Sequence, residues 1–203
     1  MTRAILLFPL LALGGCISLL PEPAPPPRIF ALEAADVAHA QQAPLNAAIA
    51  VASPGGDRSI LGVDLVWRTG DEVAFVAQTQ WSGRAETSLQ AMLLETLSRQ
   101  GRFAAVTRAG EGRANYELRW DVLHFDVQEE GMQARFSADV RILALPGRRI
   151  LAQRTIMADA PVADRSASVA AQALARAARE GSARIGEFAA ETAAEAEGSA
   201  AVN

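Results

Sequence analysis

The strongest constraint on the fold is a long stretch of strict two-residue alternation in the C-terminal half. Apolar side chains occupy every second position of Ala134–Ala144, and polar or charged ones lie between them from Arg135 as far as Arg141. A period of two places the two sets on opposite faces of a β-strand. Pro146-Gly147 then turns the chain, and residues 150–158 return as a partner strand. The pattern predicts an antiparallel meander with one face in water.

The preceding strand, Tyr116–Gln128, changes its alternation partway along. Apolar side chains occupy one face as far as Val122, and the apolar phase then moves by one residue to Leu123, Phe125 and Val127. A slip of one residue sends every later side chain to the other face. A long strand with this pattern is therefore expected to contain a β-bulge or to change layers.

Helical spacing replaces the alternation over residues 86–100. Leu89, Leu93 and Leu97 recur at every fourth position and define one apolar face. Gly101 follows at the place where a left-handed C-cap is expected. This segment is predicted to be an amphipathic helix.

A second helix is predicted from Ser166, a suitable N-cap, to about residue 190. Gly181 lies inside it and costs about 1 kcal/mol relative to alanine. This glycine therefore indicates a kink or a close contact with another element. Residues 191–203 are rich in Ala and Glu without large apolar side chains, and we predict that this tail is disordered.

The rest of the chain consists of short strand-like runs separated by turn residues. These runs lie at residues 28–32, 47–52, 60–67, 73–81 and 103–107. Their order predicts an α+β fold, in which a mostly antiparallel sheet packs against two helices. One domain is expected, at residues 28–190.

The N-terminus has the features of a secretory signal. Arg3 precedes an apolar run at residues 4–12, which is far shorter than the roughly 20 residues that span a bilayer but typical of a signal peptide. Small residues then lead to the single cysteine in Leu13-Gly14-Gly15-Cys16, which resembles a bacterial lipobox. We predict a signal peptide at residues 1–15 and lipidation of Cys16. A buried core cysteine is the alternative.

Residues 16–27 are rich in proline. Proline lacks an N–H donor and favours the extended polyproline II conformation. The segment is therefore predicted to be a stiff spacer between a membrane and the domain. A proline-rich recognition motif is the alternative, although it would be poorly accessible just above a lipid anchor.

Composition excludes several classes of protein. The net charge of −4 gives no global basic field that would attract nucleic acid. One Cys and two His exclude a Cys-rich zinc site and a multi-His metal centre. The sequence contains no Gly-x-Ser-x-Gly nucleophile motif and no P-loop. No cofactor, metal site or catalytic residue is therefore predicted.

Two sets of residues are candidates for a function. His124 and Asp126 alternate on one strand and resemble a catalytic pair, but without a nucleophile motif an exposed strand histidine is the favoured interpretation. Arg148 and Arg149 lie at the tip of the predicted hairpin. Such charges are usually solvated, and contact with a partner protein or with phospholipid headgroups is the functional alternative.

The order of these features resembles the ABC-type transport auxiliary lipoprotein family. The resemblance rests on the lipobox, the spacer, Arg28-Ile29-Phe30-Ala31-Leu32, the Leu-rich helix with Ser98-Arg99-Gln100-Gly101-Arg102-Phe103, and Asn115-Tyr116-Glu117-Leu118 opening a long strand. It implies a non-enzymatic periplasmic accessory of an ABC lipid transporter built around MCE-domain proteins, as in the paraquat-inducible system. Only Cys16 carries over as a defined site.

Sorting and partners follow from the same resemblance. Ile17 and Ser18 follow Cys16, and the lack of Asp there implies the periplasmic face of the outer membrane. The expected partners are an MCE-domain protein and, through the anchor, the membrane, while homo-oligomerisation is left open. The competing hypothesis is a lipoprotein that itself carries a lipid or other ligand, which requires a large apolar cavity.

Overall fold

Nine strands and two helices make up the part of the protein that the structure describes. The computed structural model describes residues 25–35 and 43–202, so the predicted signal peptide, Cys16 and most of the predicted spacer lie outside the described residues. The elements are β1 (Arg28–Phe30), β2 (Leu45–Val51), β3 (Gly55–Gly56), β4 (Asp64–Thr69), β5 (Glu72–Trp81), α1 (Ala85–Gln100), β6 (Phe103–Arg108), β7 (Tyr116–Gln128), β8 (Gln133–Ala144), β9 (Arg149–Pro161) and α2 (Ala167–Val202).

Strand β7 organises the sheet. Along one edge it pairs over its whole length with β8, and β8 pairs with β9, both in antiparallel fashion. Along the other edge, β2, β3 and β4 pair with successive parts of β7 in parallel. Beyond them, β6 pairs in parallel with β2, β5 pairs antiparallel with β4, and β1 pairs in parallel with β5. The α+β prediction is confirmed: the two longest ladders, β7–β8 and β8–β9, are antiparallel, and the shorter pairings make the sheet mixed.

The phase change in β7 is a β-bulge, as predicted. The pairing with β8 shifts between Val122 and His124, so Leu123 is the extra residue on β7. Leu123 is exposed, while Phe125 and Val127 return to the core face. The bulge therefore keeps the apolar residues of both halves of the strand in a single core.

Both helices form at the predicted places and share one face of the sheet. Leu89 and Leu93 of α1 are fully buried, and Gly101 ends the helix with a φ of 65° and an N–H donated to the Ser98 carbonyl. Helix α2 crosses β7, β8 and β9 and also contacts α1. At its start, the Ala170 N–H donates to the Ser166 carbonyl, as expected for a residue in the N-cap position.

Gly181 marks a close contact. A Cβ atom at this position would overlap the ring of Phe136, which is fully buried on β8. Gly186, further along α2, has the same relation to the side-chain amide of Gln100 at the end of α1. The two glycines let α2 approach the sheet and α1 more closely than any other residue would.

The prediction that residues 191–203 are disordered is wrong, because α2 continues to Val202. Thr192 and Ala193 are buried, and the Tyr116 hydroxyl donates to the Ala193 carbonyl at 3.4 Å. Alanine is the best helix former and is small enough to pack closely on a sheet. The tail therefore continues the helix, although it lacks the large apolar side chains on which the prediction of a helix would depend.

Candidate functional site

The β8–β9 turn places Arg148 and Arg149 in different environments. Arg148 has a φ of 55°, and its Nη2 donates to Glu117 Oε1 at 3.1 Å. Arg119 Nε also donates to that oxygen, at 2.7 Å. Glu117 is buried and receives two guanidinium groups, so Arg148 is held in place rather than fully solvated. Arg149 is exposed and lines a depression of about 350 Å³ with residues of α2.

The outer edge of β9 is covered over only part of its length. Arg184 Nη1 donates to the Met157 carbonyl at 2.6 Å, and Arg176 Nη2 donates to the Pro161 carbonyl at 3.1 Å. Within the described residues, no strand pairs with this edge. The part next to Arg149 carries Ile150, whose surface is 53% exposed. The hairpin tip and this edge therefore carry an exposed cation and an exposed apolar side chain, which point to opposite faces of β9.

The structure brings His124 and Asp126 together but gives Asp126 other partners. Asp126 is fully buried, and its Oδ2 lies 3.5 Å from His124 Nδ1. The same oxygen accepts a hydrogen bond from Arg68 Nε at 3.0 Å, and Oδ1 accepts one from the Gln128 amide. The carboxylate therefore links β4 to β7, which is a structural role.

Replacing Asp126 by alanine is expected to lower the free energy of unfolding by about 2 kcal/mol, because the partly buried ends of Arg68 and Gln128 lose their acceptor. Urea denaturation of the soluble domain measures this loss. Asp139→Ala is the matched control: Asp139 accepts hydrogen bonds from Gln153 at an exposed site, so a change within about 0.5 kcal/mol is expected. Equal losses in the two variants would contradict the structural role.

A second surface was not identified as exposed from the sequence. Val73 and Phe75 on β5 alternate like a core face, yet they are 37% and 55% exposed. They belong to the arm formed by β4 and β5, which ends at Thr69-Gly70-Asp71. Ile29 on β1, also exposed, lies at the base of the same arm and pairs with Gln80. Alternation reports which residues share a face, but not whether another element covers that face.

The described residues give no sign of a metal centre. Within residues 25–35 and 43–202, no group of three or more His, Cys, Asp or Glu side chains is placed to hold an ion. The helices in this same part of the chain are also too short or too polar to cross a membrane.

The fold is that of a family of bacterial transport accessories. The sequence profile of the ABC-type transport auxiliary lipoprotein component matches residues 30–186. The match covers most of the chain, and the protein belongs to this family. Membership gives it an accessory role in ABC-type transport and the character of a membrane-anchored lipoprotein, and it implies a role other than catalysis.

Solved structures confirm the fold. The protein XCC0632 from Xanthomonas campestris superposes with a TM-score of 0.78 at 22% identity, over 84% of this chain and 98% of that one. A second, uncharacterized protein gives a TM-score of 0.65 at 15% identity, over 81% of this chain and 99% of its own. A search of the curated proteins finds no match to this sequence.

Proposed function

We propose that the protein docks the periplasmic component of an MCE-type ABC lipid transporter at the outer membrane, without catalysing a reaction itself. The observation that carries the proposal is the family match over residues 30–186, which includes almost the whole α+β domain. In the predicted mature chain, the single cysteine and the proline-rich spacer precede this domain. An anchored binding domain is the arrangement that these parts support best.

The anchor is the first physical argument. With lipid on Cys16 and a stiff spacer of about a dozen residues, the domain stays in a thin layer beside the membrane. Tethering of this kind raises its effective concentration for a partner that reaches the same membrane. Ile17 and Ser18, rather than Asp, after the cysteine support the periplasmic face of the outer membrane.

The β8–β9 tip is the proposed contact surface. Arg148 is fixed by Glu117, while Arg149 and Ile150 remain exposed beside an uncovered strand edge. An uncovered strand edge next to an exposed cation suits addition of a strand or loop from another protein. The surface therefore supports binding of a protein partner.

Close packing in the core argues against the alternative that the protein carries a lipid. A lipid carrier needs an apolar cavity, and the space between α2 and the sheet is where an α+β domain of this kind would hold one. The contact between Gly181 and Phe136 leaves no space for even one additional carbon atom there. This close packing supports the docking function over the carrier function.

Charge reversal at the tip tests the proposal. Arg149→Glu in the lipidated full-length protein is expected to reduce crosslinking to an MCE-domain protein in native cells several-fold, because it places a like charge where the partner meets a cation. Arg165→Glu is the matched control. Arg165 is also exposed, but it contacts Glu129 at the opposite end of β7. Mass spectrometry of the crosslinked products identifies the partner.

Two results would contradict the proposed function, and a third would contradict the proposed contact surface. If no MCE-domain protein is recovered with the native chain or with either variant, the proposed partner is wrong. A lipid bound in equimolar amount to the purified soluble domain would favour the carrier function instead. Equal loss of crosslinking in Arg149→Glu and Arg165→Glu would contradict the choice of the β8–β9 tip as the contact surface.

A further inference from the structure

A groove lined by arginines lies between the second half of β9 and the first half of α2. Its volume is about 610 Å³. Arg176, Arg179 and Arg184 of α2 line it, together with Glu180 of the same helix and Asp159 of β9. Small alanine side chains make up most of the remaining wall, so the space between the two elements stays open. The groove therefore combines a large open volume with three cations.

The two carboxylates of this groove are already paired with other arginines. Glu180 Oε1 accepts a hydrogen bond from Arg184 Nε at 3.0 Å. Asp159 Oδ1 accepts one from Arg135 Nε, on the neighbouring strand β8, at 2.9 Å. Each acid is thus neutralised by one guanidinium, and neither compensates the charge of the two remaining arginines of the groove.

Arg176 and Arg179 are held by backbone carbonyls instead of acids. Arg176 Nη2 donates to the Pro161 carbonyl at 3.1 Å, and Arg179 Nε donates to the Glu33 carbonyl at 2.9 Å. In the part of the chain that the structure describes, no carboxylate forms an ion pair with either side chain. A carbonyl fixes the position of a guanidinium but leaves its charge in place. Each guanidinium has five N–H donors, and these hydrogen bonds use one of each.

The spacing of the two arginines brings their charges together. Arg176 and Arg179 are three residues apart on α2, so they are neighbours on the helix surface, with about 5–6 Å between Cβ atoms. Like charges at such spacing destabilise a helix. Arg179 is also half-buried, where salt screens its charge less than at a fully exposed site. An anion bound between the two guanidinium groups would reduce this repulsion.

The chemistry of the donors favours a phosphate group as that anion. The planar guanidinium presents two parallel N–H groups that match two oxygens of one phosphate, and a fixed guanidinium loses little freedom when it binds. Two guanidinium groups together suit a ligand with several charged oxygens. A volume of about 610 Å³ also leaves space for an organic group attached to the phosphate.

We propose that the groove between β9 and α2 binds a phosphate group through Arg176 and Arg179. The attached organic group lies over Ala160 and Ala183, which line the same groove. A phospholipid headgroup and free phosphate are the two sources of this chemistry.

The position of the groove gives a lipid headgroup a consequence that rests on the proposed function. Pro161, at the groove, pairs with Gln133 at the start of β8, whereas Arg149, at the β8–β9 tip, pairs with Ala144 at its end. The groove and the tip are therefore at opposite ends of this hairpin. With a headgroup in the groove, the tip points away from the membrane and toward a partner in the periplasm.

NMR titration of the unlipidated chain tests the site. The chain from residue 16 onward carries Cys16→Ser, and it is titrated separately with inorganic phosphate and with monomeric dihexanoyl phosphatidylglycerol. Both probes are expected to cause saturable shifts of the backbone and Nε–H signals of Arg176 and Arg179. Tighter binding of the lipid would identify a headgroup as the ligand, and equal affinity would identify free phosphate. Either result supports the site.

Paired substitutions connect the shifts to the two guanidinium groups. Arg176→Gln with Arg179→Gln is expected to weaken the binding of both probes by about tenfold or more, because charge-assisted hydrogen bonds are lost. Arg108→Gln with Arg113→Gln is the matched control: it removes the same charge from two exposed arginines at the β6–β7 connection, and a change within about twofold is expected. Unchanged signals away from the groove show that each variant keeps its fold.

A lysine pair keeps the test informative even where the glutamine pair fails to fold. Arg176→Lys with Arg179→Lys retains both charges but loses the planar forks. This variant is expected to bind both probes more weakly than the native chain does. Unchanged affinity in the lysine pair would contradict recognition by the guanidinium forks.

Three further outcomes would overturn the proposal. Absence of a saturable shift with either probe would show that no phosphate site exists. Equal weakening in the glutamine pair and in the Arg108, Arg113 control would mean that net charge alone attracts phosphate. Equal affinity for acetate would contradict the choice of phosphate. Because the titrated chain has neither lipid anchor nor transporter partner, each of these results leaves the docking proposal standing.

Discussion

Replacing Gly181 by leucine is expected to cost about 3 kcal/mol or more of the free energy of unfolding. The reason is the contact with Phe136: a Cβ atom alone already overlaps the buried ring, and leucine adds three further carbon atoms. Neither β8 nor α2 can retreat cheaply, because both pack into the same core. Urea denaturation of the soluble domain, followed by circular dichroism, measures the loss.

Alanine at the same position separates crowding from helix propensity. At an uncrowded helix position, replacing glycine by alanine raises the free energy of unfolding by about 1 kcal/mol. Gly198, in the same helix, has open space around it. Gly198→Ala is therefore expected to be neutral or slightly stabilising, whereas Gly181→Ala is expected to be destabilising by about 1 kcal/mol, since overpacking outweighs the propensity gain. If both substitutions stabilise the protein, α2 is not in close contact with the sheet at Gly181.

A double-mutant cycle identifies the ring as the cause. Phe136→Leu removes part of the buried ring and destabilises the core by itself. In that background, Gly181→Ala is expected to cost less than in the native chain, because the smaller side chain leaves space for the added methyl group. Strict additivity of the two substitutions would place the strain elsewhere.

The sequence pattern predicts those elements whose structure depends on side chains close together in the chain. The slip of apolar phase after Val122 indicated the bulge, because only an extra residue lets both halves of β7 face one core. Gly101 and the Leu-rich face predicted α1 and its end for similarly local reasons. In each case the chemistry that fixes the structure lies within a few residues of the place where it acts.

Pairing between distant strands could not be predicted in the same way. Of the three short strands that join β7 in parallel, β2 and β4 carry apolar runs that would suit several neighbours, and β3 is only Gly55–Gly56. Their order depends on contacts far apart in sequence. The strand predicted at residues 60–67 begins only at Asp64. Before it, the Asp57 carboxylate accepts the N–H and hydroxyl of Ser59, and these hydrogen bonds lower the pKa of Asp57 and fix a turn.

The candidate surfaces also combine features fixed by nearby residues with features fixed by residues distant in sequence. Sequence placed Arg148 and Arg149 at a hairpin tip, which the turn between β8 and β9 confirms. It did not reveal that Glu117, on a neighbouring strand, would fix Arg148 and leave Arg149 exposed. Nor did it separate the exposed Phe75 from the buried Leu65, because burial depends on which element covers a face.

Replacing Cys16 by serine is expected to abolish partition of the protein into membranes. Transfer of each acyl methylene out of water contributes about 0.8 kcal/mol, and a single acyl chain gives only marginal binding, so several chains are needed for a stable anchor. Serine cannot form the thioether that holds the first lipid. Fractionation of native cells and labelling with a fatty-acid probe measure the effect, and unchanged labelling would contradict lipidation at this residue.

Moving the thiol tests whether position, and not reactivity, determines the modification. In a Cys16→Ser, Ser18→Cys chain the only cysteine follows Ile17 instead of the small residues Gly14 and Gly15. Because the processing enzyme must approach the backbone before the cysteine, this chain is expected to remain unlabelled and outside the membrane fraction. Labelling of the moved cysteine would mean that a reactive thiol suffices, and the lipobox would then no longer explain the anchor.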